Sequence, residues 1–218
     1  MIAARAAGRV NDGDLRRYIR RRDRDGLLEA DASTVHTGWI DLLPAIYPSA
    51  RYLLTIRSCY WWLDATLNQL LEAAPERNTR RHLASVVLPG GGPTLLEVFQ
   101  SPASLIRHFP KVVDAYLEDW ASSNERLLAH IPDARLMIVT VEDVLDVERR
   151  IPDLARFVGV PPRALAREYG QAAEEPVGHG ILGRVNARLL RERVDRRCGS
   201  LMTRFFPKRT LADFLLRR

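Results

Sequence analysis

"YPSARYLLTIRSCYWWLDATLNQ" (residues 47–69) is the stretch from which the fold is read. Leu53, Leu54, Thr55 and Ile56 form an apolar run closed by Arg57, and Trp61 and Trp62 lie in the amphipathic segment that follows. A short, continuously apolar run is the pattern of a parallel strand covered on both faces. A second run, "RLMIVTVED" (135–143), has the same character. Each follows a P-x-A-R lead-in, "YPSAR" and "IPDAR", in which proline closes a preceding helix and turns the chain into the sheet. The stretch between them rules out a hairpin by its length, so strands over 51–57 and 135–140 are predicted to lie parallel in one sheet. "GLLEAD" (26–31) is predicted as a further short strand.

Between and after these runs the apolar spacing turns helical. "GWIDLLPAI" (38–46) is short and amphipathic; "YWWLDATLNQLLEAA" (60–74) sets Trp62, Thr66, Leu70 and Ala73 on one face with Leu63, Leu67 and Leu71 beside it. "FPKVVDAYLEDWASSNERLLAHI" (109–131) is predicted as a helix with Pro110 in its first turn. "IPDLARFVGV" (151–160) ends at Gly159, and "RVNARLLRERVDRRCGSLMTRFFP" (184–207) places Leu190, Val194, Cys198, Leu201 and Phe205 on one face. The predicted fold is an α/β domain, a three-layer sandwich with a mostly parallel sheet, spanning 1–218 without repeat or second domain. "VVLPGGGPTLLEVF" (86–99) is Gly-rich, yet prolines flank Gly90, Gly91 and Gly92 and no lysine follows. That pattern is a surface turn and not a phosphate cradle.

The chain has 218 residues and a formal net charge of +6, and lysine occurs only at Lys111 and Lys208. The densest basic run is "LRRYIRRRDR" (15–24). Nucleic-acid binding through Arg16, Arg17, Arg20, Arg21, Arg22 and Arg24 is one reading, but a solvated helix face is the simpler one, and no nucleic-acid motif accompanies the run. Cys59 and Cys198 lack metal-ligand spacing and are expected to be buried, reduced apolar residues. No metal site is expected. No leader or membrane-spanning run is legible, so a cytoplasmic location is expected.

The C-terminal end of a parallel strand faces the ligand crevice of an open α/β sheet. Arg57 occupies that end, with a helix N-terminus next to it, and is a candidate ligand for phosphate or sulfate. "YPSARYLLTIRSCYWWLDATLN" (47–68) resembles the sulfotransferase family's strand that leads to the 3′-phosphate of 3′-phosphoadenosine 5′-phosphosulfate (PAPS). "IPDARLMIVTVEDVLDVERRIPDLARFVGV" (131–160) is similar to that family's later strand, its E-D-L turn and its short helix, and "RCGSLMTRFFP" (197–207) to its closing helix. The likeness covers roughly 25–75 and 110–207.

This resemblance implies a P-loop-type fold and sulfuryl transfer from PAPS to a hydroxyl or amine of a small-molecule or glycan acceptor. Arg57 would hold the cofactor's 3′-phosphate. The family's usual serine partner to that arginine is replaced by Ala65, with Thr66 the neighbouring hydroxyl, and its usual acid after the arginine is Ser58. His36, at the family's spacing before Arg57, would be the general base. Arg184 stands where the family's late phosphate-binding segment falls but matches it poorly. The family's first strand and Gly-rich loop for the 5′-phosphosulfate find no counterpart in "MIAARAAGRVNDG" (1–13). The expectation is a chain truncated at its N-terminus, its sheet incomplete and inclined to self-association, with no transfer by the 218-residue chain alone. The alternatives are a non-catalytic nucleotide or anion binder of the same fold, and a basic nucleic-acid-associated protein.

Overall fold

Tyr52–Ile56 (β1) and Leu136–Thr140 (β2) pair in parallel, in register from Tyr52↔Leu136 to Ile56↔Thr140, as their apolar runs predict. The computed structural model describes residues 5, 8–28, 30–31, 34–88, 90–140, 147–161 and 179–216. Among them, β1 and β2 make up the whole parallel sheet, so each strand has one unpaired edge, and helices dominate the rest.

The two-residue period of a strand gives β1 two unlike faces. Leu54 and Ile56 are buried in the main core, whereas Leu53, 45% exposed, and Thr55 face away from it. Among the described residues the outer face is covered less fully than the inner one, with Val139 buried and Leu53 exposed. By register Met137 and Val139 share the outer face, where they line a cavity of about 540 Å³ with Leu154 and Phe157.

The inner face packs on two helices, Cys59–Ala73 (hereafter α3) and Pro102–His130 (α6). Leu63, Leu67 and Leu71 of α3 meet Val113, Leu117 and Trp120 of α6. Ala187–Phe205 (α9) closes this core with Leu190, Val194, Cys198 and Leu201. Phe205 is only partly buried and Phe206 takes the core position, because the helix ends between them and the capping residue turns inward. Ion pairs from Arg193 to Asp114 and from Arg197 to Glu118 (2.7 Å) tie α9 to α6 along their solvent edge. α6 starts earlier than predicted. Ser101 caps it by accepting from the Ser104 amide, Pro102 fills the first turn, and Pro110 lies inside the helix. The stronger start signal prevails, since Pro110 removes a single ladder bond from a helix buried along its length.

"GLLEAD" is not a strand at its described positions. Asp12–Gly26 (α1) runs up to it, and Leu27 closes the helix in the left-handed region (φ 48°) with its amide on the Arg24 carbonyl. Leu27 is 85% exposed, so the leucines that suggested a strand have no sheet to join. α1 buries Leu15 and Ile19 in a second cluster with Trp39, Ile40, Leu43, Ile46 and Ile131. That cluster holds a 3-10 helix, Thr34–Trp39, and Leu43–Ile46 (α2). Leu127 and Leu136 touch both clusters and join them.

Arg77–Ser85 (α4) leads to the Gly-rich segment, which is the surface turn its prolines imply. Val87 bridges Thr94, and Gly90 and Gly91 take the left-handed conformation that only glycine adopts without strain. Thr94 and Glu97 then form a reciprocal cap on Leu95–Val98 (α5). Val147–Val158 (α7) follows β2 and stops at Gly159 (φ +82°), as predicted. The predicted turn after β2, at Glu142 and Asp143, lies outside the described residues. Ile181–Arg184 (α8) and Leu211–Leu216 (α10) complete the order. No helix among the described residues is long and apolar enough to cross a membrane.

Candidate functional site

The site is built at the C-terminal end of β1. Burial of Ile56 ends the strand in the core, and Arg57 then leaves it, half-buried, one residue before Ser58 caps α3. The Arg57 carbonyl accepts a hydrogen bond from the indole Nε1 of Trp120 (3.2 Å), which fixes the backbone of this corner to α6. Its guanidinium has no hydrogen bond or ion pair among the described residues.

The first turn of α3 carries N–H groups that no intrahelical carbonyl satisfies, and with them the positive pole of the helix dipole. Ser58 is buried, yet its hydroxyl makes no capping bond to α3. One of the free amides, that of Cys59, points at the Met202 sulfur of α9 (3.4 Å), a weak acceptor. Trp61 meets Phe214 of α10 edge-on at 4.8 Å, so the C-terminal helix packs beside the same turn. The corner is thus a cation next to a positive helix end, walled by Trp120, Met202 and Trp61. It can hold an anion, which would satisfy both charges at once.

Cys59 and Cys198 are both buried and free of disulfide. Burial raises the Cys59 thiol pKa, and its hydrogen bond with Cys198 adds to the rise, so Cys59 is an unreactive thiol. Burial likewise lifts the Tyr116 phenol to about 12.

Thr66 lies on α3 about 10 Å of helix rise beyond Cys59 and is half-buried. No hydrogen bond joins its hydroxyl to Arg57 among the described residues. His36 falls within the 3-10 helix Thr34–Trp39, and its side chain lies outside the described residues. The neighbouring Thr37 carbonyl accepts from Arg126 (3.3 Å). Arg126 follows Trp120 on α6 by about 9 Å of rise, so one helix anchors the backbone beside both His36 and Arg57. Arg184 ends the short α8, exposed.

Sequence reasoning missed three residues that shape this corner. Asp64 and Asn68 are buried on α3; Asn68 donates to Asp64 (2.8 Å) and accepts the His179 amide (3.0 Å). Two polar residues one turn apart inside an apolar face are the available signal, and they pin the chain entering α8. Trp120, read only as core, is the third.

Comparisons of the chain with protein-family models, curated proteins and solved structures find no match. Among the described residues no group of three or more His, Cys, Asp or Glu could hold a metal ion. A cavity lined by Arg51, Met137, Val139, Asp153, Arg156 and Phe157 among others sits on the outer face of the sheet. Arg57 does not line it. Its arginines are engaged: Arg51 with the Arg156 and Phe157 carbonyls, Arg156 with Asp153. The corner at Arg57 is the better candidate on chemistry.

Proposed function

We propose that this protein binds the 3′-phosphate of a phosphorylated adenosine nucleotide at Arg57, in a sulfotransferase-like arrangement. The observation that supports this is the Arg57 guanidinium, without an ion partner among the described residues, directly before the N-terminus of α3. A bidentate arginine contact and a helix amide suit a phosphate dianion in both charge and geometry. Thr66 is a further candidate contact, and would need its hydroxyl turned toward the phosphate. On this reading β1 and β2 belong to a three-layer α/β sandwich, with α7 on the side opposite α3 and α6.

When bound, PAPS supplies the sulfuryl group and a nucleotide leaving group. The chain's own contribution is positioning by Arg57 and proton removal at His36. An imidazole with a pKa near 6.5 accepts the proton of a hydroxyl or amine acceptor at neutral pH. The described residues offer no glycine-rich cradle for the 5′-phosphosulfate, because the one Gly-rich segment is the turn before Thr94. The second reading, a nucleotide binder without turnover, draws on that fact.

Calorimetry with adenosine 3′,5′-bisphosphate tests the shared part of both readings. Arg57→Ala is expected to weaken binding roughly tenfold to a hundredfold, since a charge-assisted hydrogen bond contributes about 1.5–3 kcal/mol. Undiminished binding by this variant would remove the site. A PAPS transfer assay then separates the readings. In an active protein His36→Ala lowers kcat by about 10²–10⁴-fold and leaves bisphosphate affinity unchanged. Binding without transfer favours the non-catalytic reading.

A further inference from the structure

We propose that the outer face of α1 is a docking surface for single-stranded nucleic acid, with Arg17, Arg20, Arg21 and Arg24 on its phosphates and Tyr18 on a base. At about 100° per residue these four arginines fall within an arc of roughly 100°, and Leu15 and Ile19 lie diametrically opposite. The structure agrees: Leu15 and Ile19 are buried, while the Arg17, Arg21 and Arg24 side chains are each 76% exposed. Arg22, one of the arginines of the same run, is not part of this surface. Its side chain is 32% exposed and pairs with Asp31.

All four guanidiniums are available to a phosphate. Arg20 has no ion partner among the described residues. Arg17 pairs with Asp14, and Arg21 and Arg24 pair with Asp25 at 3.2 and 3.6 Å. Such exposed pairs contribute little and are screened by salt, so a phosphate can replace the carboxylate. Asp14 and Asp25 project along one flank and leave the arginine arc itself without acids. From Arg17 to Arg24 the stripe covers about 10 Å.

Two further observations choose the partner. A helix that lies on a membrane buries its apolar face in lipid, but Leu15 and Ile19 are consumed by the cluster with Trp39, Ile40 and Leu43. That packing leaves only Leu27 and Leu28, beyond the last turn of α1, as exposed aliphatic side chains at this helix, too few for an inserted apolar face. On the flank that carries Asp14 and Asp25, one turn from Arg21, Tyr18 is 40% exposed and leans on Trp39 (ring centroids 6.2 Å apart, planes at 57°). A braced, half-open ring one turn from Arg21 offers a stacking surface for an unpaired base, which a duplex does not present.

Fluorescence anisotropy with a labelled oligothymidylate, a duplex of equal length and phosphatidylserine vesicles tests the proposal. The full chain is expected to bind the single strand at low salt, with log affinity falling linearly on log salt. Arg17→Gln, Arg20→Gln, Arg21→Gln and Arg24→Gln together should weaken binding more than about tenfold and flatten the slope by about 0.7 for each phosphate no longer neutralised. Tyr18→Ala should weaken the single strand about tenfold and leave the duplex unchanged. A control with Arg77, Arg80 and Arg81 of α4 changed to Gln should bind within about twofold of wild type. Replacing the four α1 arginines by Lys keeps the charge and the fold, and should retain the slope with weaker binding. No binding at low salt, an equal loss in the control, a Lys variant as tight as wild type, or vesicles bound as tightly as the oligonucleotide would each overturn the assignment.

Discussion

Arg51 and Arg57 stand at the two ends of β1 and meet opposite electrical surroundings. Arg51 reaches the C-terminus of α7, donates to the Arg156 (3.3 Å) and Phe157 carbonyls, and lies over the Phe157 ring at 5.9 Å. A cation at the negative pole of a helix stabilises the fold by itself. Arg57 is the reverse case, a cation immediately before the positive pole of α3, with no ion partner among the described residues. The fold gains nothing electrostatic from that placement. One strand therefore carries a structural arginine at its start and, at its end, an arginine that has no ion partner among the described residues.

The largest effect that sharpens this contrast is ligand-linked stability. Adenosine 3′,5′-bisphosphate at a hundred times its Kd should stabilise the wild-type fold by about 2.7 kcal/mol in a thermal melt. Arg51→Ala should keep that stabilisation, and Arg57→Ala should lose most of it. A ligand that stabilises both variants equally would break the contrast.

Without ligand the two substitutions should separate in the other sense. Arg51→Ala removes the cap on α7 and is expected to cost about 1 kcal/mol in denaturant unfolding, discounted for exposure. Arg57→Ala should be neutral or stabilising, by about 0.3 to 1 kcal/mol, because it relieves the positive end of α3. Destabilisation by Arg57→Ala as large as that by Arg51→Ala would show that Arg57, too, is structural.

A third arginine gives the smallest effect and a pH signature. Arg5 donates to both carboxylate oxygens of Asp41 (2.9 and 2.6 Å), and this hydrogen bonding holds the Asp41 pKa below its ordinary value. A carboxylate depressed in the folded state contributes stability above its unfolded pKa of about 3.9, and loses it as pH falls through the folded value. Unfolding free energy should therefore decline below about pH 4, and Asp41→Asn should flatten that decline. An unaltered acid limb in the variant would exclude the pair as its source.

Legibility followed the range of the interactions. β1, β2, the start of α3 after Arg57 and the stop at Gly159 were readable, because apolar runs and glycine act on their immediate neighbours. "GLLEAD" misled because two leucines after glycine look like a strand wherever they stand; what decided was whether a sheet lay there to bury them. The exposure of Leu53 on the outer face was invisible for the same reason, since periodicity says which residues share a face and not what covers it. At the candidate site the position of Arg57 was legible. The Trp120 bond to its carbonyl, the Met202 contact and the Asp64–Asn68–His179 chain were not, since each joins residues far apart in sequence. Tyr18 was in plain view within the basic run, and only its 40% exposure gave it meaning.

The pairing of Tyr52 with Leu136 has a consequence for how the molecule assembles. Everything from α3 through α6 lies in the loop that this pairing closes, and the entropy of closing so long a loop must be met before any ladder bond forms. The helices, whose contacts are local, can form first and draw the strand ends together. The corner at Arg57 is then a late product of folding, and its backbone is fixed only once α6 has brought Trp120 beneath it.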